Sequence, residues 1–221
     1  MRTIRAFTVA AAIVAALPSM AAAQAGRQFT DAWFWGVKAG GLTIGDSLRT
    51  SQAGVAGIEW LITRHYGGLY VSGGEAFFNR QTFTFRDPNA LADSGFRAIN
   101  LKNMRKFDVA AMGFPGDHLR WHPYVGVGFS YEQIASASPQ APFGNADQVA
   151  YADSVIAQHK VSFAPLFMGG AQYRMQRASV FGQISFSPMH SDFLLMNGRG
   201  YNIEYEVGLR YNVGTSIDRK P

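Results

Sequence analysis

The chain has 221 residues, of which 48% are apolar and only 16% charged, against roughly 25% charged in an ordinary soluble domain. That balance excludes a disordered or polyelectrolyte chain. The absence of cysteine excludes a disulfide framework, thiolate chemistry and lipid acylation at a thiol. A formal charge of +5, or +3 once Arg2 and Arg5 are set aside with the leader, is too weak to imply a nucleic-acid partner.

Residues 1–23 read as a secretory signal. Arg2 and Arg5 supply the positive start, Phe7 to Leu17 the apolar stretch, and Pro18-Ser19 the break. Ala21-Ala22-Ala23 fits a small-residue cleavage site, with a second at Ala25. The stretch is too short for a span of ~20 apolar residues, so cleavage and export are expected.

From there the chain alternates with a period of two. Trp33, Trp35, Val37 and Ala39 interleave with Phe34, Gly36, Lys38 and Gly40. Ala56, Ile58, Trp60 and Ile62 interleave with Val55, Gly57, Glu59 and Leu61. Leu69 to Phe78 is a strand whose outward face the pattern does not fix, because Gly73-Gly74 and Glu75 interrupt it. Phe107 to Phe114 sets Phe107, Val109 and Ala111 against Lys106, Asp108 and Ala110. Val125, Val127, Phe129 and Tyr131 alternate with Tyr124, Gly126, Gly128, Ser130 and Glu132. Val161, Phe163, Phe167 and Tyr173 share one face of the next segment, with Pro165 marking a bulge or an end. Val180, Gly182, Ile184 and Phe186 follow, set against Ser179, Phe181, Gln183 and Ser185. The last segment is the longest: Tyr201, Ile203, Tyr205, Val207, Leu209, Tyr211 and Val213 alternate with Asn202, Glu204, Glu206, Gly208, Arg210 and Asn212. Such a run exceeds the usual ~5–6 residues of a soluble strand and suits a tilted membrane strand of ~9–11.

Eight strands result, joined by short turns near Thr63–Gly67, Pro115–Pro123 and Arg174–Arg177 and by longer links at Thr43–Ala53, Arg86–Asn103, Ala135–Lys160 and Ser187–Gly200. Alternating link lengths and an even count suit an antiparallel meander with both termini at the short-turn end. In hydrocarbon every backbone polar group must be satisfied internally, which strands achieve only by closing on themselves. The pattern therefore predicts an all-β, eight-stranded, antiparallel, up-and-down transmembrane barrel over residues 30–213, followed by a short tail, 214–221. The greasy face points outward. A soluble calycin-like barrel would have the opposite sidedness.

Six charged residues then face the narrow lumen: Lys38, Glu59, Glu132, Glu204, Glu206 and Arg210. Unpaired charges there are costly, so a salt-bridge and hydrogen-bond network filling the lumen is expected. Lys38 would meet Glu204, Glu206 or Arg210 across the closing seam. Inward Gly36, Gly40, Gly57, Gly126, Gly128 and Gly208 would relieve crowding. Trp33, Trp35, Tyr131, Tyr201 and Tyr211 fall near strand ends, where aromatic girdles lie.

The stretch His122-Pro-Tyr-Val-Gly-Val-Gly-Phe-Ser-Tyr131 resembles the central strand of small bacterial outer-membrane barrels of the OmpA/OmpX/OmpW type. The last strand is similar to their assembly signal, carried here by Glu206, Gly208, Leu209, Tyr211 and Val213. It departs from that class in placing eight residues, Gly214 to Pro221, after the last hydrophobic position. The resemblance implies residence in the outer membrane of a Gram-negative cell envelope. It also implies lipid, lipopolysaccharide and the assembly machinery as partners, a monomer, and no cofactor. The tail leaves no room for a cell-wall-binding domain. A non-enzymatic structural, adhesive or small-solute permeability role is expected. One alternative is a porin-like carrier of hydrophobic compounds, resting on inward Phe34, Tyr124 and Phe181. Another is a lipid A deacylase-like enzyme using His190, Ser191 or Asp192 with Glu204. Against the enzyme, Ser191 is one position off for the same strand face, and Glu204 lies on the inner face.

No metal site is expected. His118 and His122 have a helical spacing in a stretch broken by Pro115, Gly116 and Pro123, which reads as a surface turn. Gly126-Val-Gly128 lacks the third glycine and helix of a nucleotide fingerprint. Met189, Leu194, Leu195 and Met196 form an apolar patch in the last long link.

Overall fold

The computed structural model describes residues 29–45, 50–65, 67–86, 96–115, 120–140, 146–189, 193 and 200–215, with backbone alone over 80–86 and 96–97. The leader therefore lies outside the described residues, as do most of the tail and the segment 190–192. Eight strands follow in order: β1 (Ala32–Gly45), β2 (Thr50–Arg64), β3 (Gly67–Arg86), β4 (Phe96–Gly113), β5 (Trp121–Gln140), β6 (Val161–Met175), β7 (Ala178–Met189) and β8 (Gly200–Thr215). One helix, α1 (Ala146–Gln158), interrupts the link between β5 and β6.

Each strand pairs antiparallel with its neighbours in sequence, and β1 pairs with β8 from Ala32↔Thr215 to Gly45↔Tyr201. The sheet is a closed barrel with no edge. The alternation places Trp35, Val37, Ile58, Val125, Phe163, Ile184, Tyr205 and Val207 on the outside, all exposed. It turns Lys38, Glu59, Asp108, Glu132, Glu206 and Arg210 inward, all buried. That sidedness is the reverse of a soluble barrel's. β3, which the pattern left open, turns Tyr70, Ser72, Ala76 and Phe78 inward and Leu69, Glu75 and Phe77 outward.

Three expectations about the links need correction, one of them Ala135–Lys160, where β5 stays paired with β4 as far as Gln140. Thr43–Ala53 is not a long link: Thr43 pairs with Gln52 and Ile44 with Ser51, leaving only 46–49 between β1 and β2. Small polar residues continue a strand when both neighbours supply hydrogen bonds. The Arg86–Asn103 link is shorter for the same reason, since Thr82↔Asn100 and Phe85↔Arg97 extend the β3–β4 hairpin past a register shift between Phe77 and Gln81. Asn79 takes a φ of 49° at that shift, and asparagine tolerates such a φ better than most residues.

The interior is stacked in three layers. At the turn end Phe29, Phe34, Leu61, Met112, Phe114 and Met168 form an apolar cluster with Tyr124. The chain entering β1 tucks under the barrel there, with Asp31 at φ 59°. Thr63 Oγ1 donates to the Phe29 carbonyl at 2.5 Å and accepts from Ala32 N–H at 3.2 Å. At the loop end Leu42, Ile44, Val55, Phe78, Ile99, Leu101, Met104 and Ile134 form a second apolar cluster. Phe193 and Ala152 of α1 belong to it. Charged side chains fill the layer between.

Candidate functional site: the ionic lumen

Sequence and register together decide which charges meet. Gly40 pairs with Glu206, and Lys38 with Gly208, so Lys38 reaches diagonally across the closing seam to Glu206. Its Nζ lies 2.8 Å from Glu206 Oε1. It also donates to Ser72 Oγ at 3.1 Å and Tyr70 OH at 3.3 Å, and lies 3.9 Å from Asp108 Oδ2. Lys106 forms an ion pair and hydrogen bond with Glu204 and lies 3.7 Å from Asp108. Asp108 accepts from Ser72 at 3.1 Å and Ser130 at 2.7 Å.

Nearer the turn end, Arg210 Nε donates to Glu59 Oε1 at 2.5 Å and Nη2 to Glu59 Oε2 at 3.3 Å, a two-pronged pairing. Its Nη1 donates to Gln172 Oε1 at 2.8 Å. The guanidinium carbon sits 3.9 Å from the Phe181 ring centre and 5.2 Å from that of Tyr124. Gln183 joins the two halves, donating to Glu206 at 2.6 Å and Tyr70 OH at 3.1 Å while accepting from Tyr124 OH at 3.0 Å. At the loop-end margin Glu132 accepts from Asn202 at 2.6 Å and from Ser130 at 3.4 Å.

All six charged residues singled out in the sequence thus lie in the lumen, within one continuous web drawing on all eight strands. Lys106 and Asp108 complete it, together with Tyr70, Ser72, Gln172, Gln183 and Asn202. The signal for these is the same inward parity, except for Tyr70 and Ser72 on β3, whose face the alternation leaves open. Two of the glycines serve the web directly. A Cβ on Gly36 would lie 2.7 Å from Glu59 Oε1, and one on Gly208 2.5 Å from the Phe181 ring.

Phe34, Tyr124 and Phe181 do point inward and are buried. They pack against Phe29, Phe114 and Arg210 inside the barrel. His122 corrects the surface-turn reading. It belongs to the inward face of β5, is buried, and stacks on Phe29 with ring centres 4.2 Å apart. His118 and the residues 190–192 considered for a lipid enzyme lie outside the described residues. Glu204 is inside the lumen with Lys106. Among the described residues no cluster of His, Asp or Glu suited to a metal ion occurs. The assembly-signal residues all sit on β8: Glu206 faces the lumen, while Tyr211 and Val213 are exposed outside.

No family model matches this sequence, and no curated protein does. Solved structures do. Neisserial surface protein A (NspA) superposes with a TM-score of 0.55 at 10% identity, over 81% of this chain and 96% of its own. Ail, the attachment invasion locus protein of Yersinia pestis, superposes with a TM-score of 0.50 at 6% identity, over 83% of this chain and 99% of its own. The fold is that of the small eight-stranded outer-membrane barrels. In such barrels the short turns face the periplasm and the longer loops the exterior. In this barrel both described ends lie at the short-turn end and α1 at the opposite, loop end.

Proposed function

We propose that this protein resides in the outer membrane as a non-enzymatic, non-conducting barrel. Its structural or adhesive work is done by the outer wall and the loop-end crown. The observation that carries this reading is the blocked lumen. Among the described residues an aromatic plug, a web of charged and polar side chains and an apolar layer under α1 succeed one another along the axis, a filling that disfavours passage of an ion or small solute. The likeness to a barrel named for attachment and invasion supports a surface role. Against the lipid-enzyme alternative stands Glu204: its carboxylate is engaged by Lys106 inside the lumen, on the wrong side of the wall for a bilayer-facing relay.

The test is reconstitution into planar bilayers. The wild-type protein is expected to give no stable channel. Stable openings, and above all openings abolished by substituting Glu206, overturn the sealed-lumen reading.

A further inference from the structure

Along the outward faces of the described strands charge is sparse. Arg64 sits at the turn end, and Glu75, Arg105 and exposed Lys102 lie toward the loop end. Arg105 pairs with Gln133 in register, one step beyond Phe107↔Tyr131, and Tyr131 pairs in turn with Phe163. It therefore stands directly above an aromatic belt, at the height where hydrocarbon gives way to headgroups. There the C-terminal half of α1, Lys160 and residues 133–137 of β5 border a cleft of about 400 Å³, whose inner edge is Ile134 and Ile156. Its lining includes Arg105, Gln133, Ser136, Asp153, Ala157 and Lys160.

The cations of this cleft differ from those of the lumen. Lys38, Lys106 and Arg210 are each paired with carboxylates. Arg105 and Lys160 have no ion pair or side-chain hydrogen bond among the described residues, although Asp153 shares the cleft and Glu75 lies opposite Arg105. Glu75 instead accepts from Asn103 at 2.7 Å. Below the cleft runs an exposed apolar strip of Phe107, Val109, Val127, Phe129 and Phe163. Its Phe129 and Phe163 rings stack 5.1 Å apart.

We propose that this cleft binds the phosphorylated sugar headgroup of an outer-leaflet glycolipid, with the acyl chains lying down the strip over β4–β6. Arg105 and Lys160 supply the charge-assisted donors that a phosphate needs. Gln133, Ser136 and Asp153 offer the mixed donors and acceptors that suit sugar hydroxyls. The aromatic strip gives the chains a matching surface. The assignment rests on the outer-membrane location proposed above.

The experiment uses the full barrel in detergent and measures binding by native mass spectrometry of three probes: bisphosphorylated lipid A, the same lipid with its phosphates removed, and phosphatidylglycerol. Wild-type protein is expected to retain the bisphosphorylated glycolipid at least tenfold better than either of the others. The double variant R105A/K160A is expected to lose that preference, while R64A, at the opposite end of the wall, keeps it. Unchanged gel mobility of unheated samples reports that the variants are folded. Undiminished lipid A binding by the double variant overturns the site, and equal binding of phosphatidylglycerol overturns its glycolipid character. The two proposals fail separately: a conducting wild-type barrel with an intact lipid A preference sinks only the sealed lumen.

Discussion

Arg210 shows what a single side chain contributes here. Its guanidinium is fully buried, paired two-pronged with Glu59 and stacked on Phe181. Its partner stands 151 residues away in the sequence. Removing one member of such a pair leaves the other charge stranded in a medium that solvates it poorly, at a cost of about 3–5 kcal/mol. E59A is expected to lower the urea midpoint of refolded barrel accordingly, and the apolar double variant E59L/R210M to recover much of the loss. Glu132 belongs to the same web but is held by the neutral groups of Asn202 and Ser130, with no cation within ion-pair distance among the described residues. The described lumen also carries five carboxylates (Glu59, Asp108, Glu132, Glu204, Glu206) against three cations (Lys38, Lys106, Arg210). E132Q keeps the shape and removes a surplus charge, so the same titration should show a change below about 1 kcal/mol or a gain. A loss as large as that of E59A would mean that charge at this position is needed. At this scale the inward parity of each charge was legible from its neighbours. Its partner was not: Lys38 could meet Glu204, Glu206 or Arg210 on sequence grounds, and the register of β1 on β8 selects Glu206.

The elements tell a similar story with a different gap. Seven strands are visible as alternation and β3 as a strand of unassigned face, yet several run longer than the pattern suggests, because Thr43, Ser51, Thr82 and Asn100 carry no hydrophobic signal and are strand only through their partners. The alternation places α1 inside the long link Ala135–Lys160. Its signal is short: Val149, Ala152, Val155 and Ile156 fall on one face, and Ala152 is buried in the loop-end cluster. Such a stripe becomes decisive only when there is an apolar barrel mouth to cover. Pro165 was expected to mark a bulge or an end, and it marks a particular end. β6 keeps its pairing with β5 past Pro165, but its pairing with β7 stops at Phe167↔Phe186. Continuing that register would set Pro165 opposite Pro188, two residues with no N–H to give. Replacing both with valine restores two donors. P165V/P188V is expected to slow amide exchange over Val161–Leu166 and Ser187–Met189 and to leave the rest of β6 unchanged. Unaltered exchange in these stretches would show that the prolines do not hold the seam open.

The whole molecule is a cylinder whose wall and filling stabilise each other. Closure joins β1 to β8 and so removes both edges that hydrocarbon could not solvate. The web ties all eight strands together, so the barrel should resist loss of any one element and unfold as a unit. An unheated sample in dodecyl sulfate is therefore expected to migrate differently from a boiled one, and the E59A barrel to convert at a lower temperature. Identical migration at all temperatures would contradict a cooperative closed barrel. The same closure gives a narrow lumen in which Arg210, Tyr70, Tyr124 and Phe181 are all buried, the packing on which the sealed-lumen proposal rests.

Strand number, antiparallel order and the sidedness of every strand but β3 were determined by the sequence alone, since a period of two written in aromatic against small or charged residues can satisfy a bilayer in only one way. The tertiary structure decided which buried charges pair, where α1 packs on the loop-end cluster, which way β3 faces, and where Arg105 and Lys160 stand without an ion pair among the described residues. Each of these depends on distances between strands far apart in the chain, and those distances are fixed only when the sheet closes and its register is set.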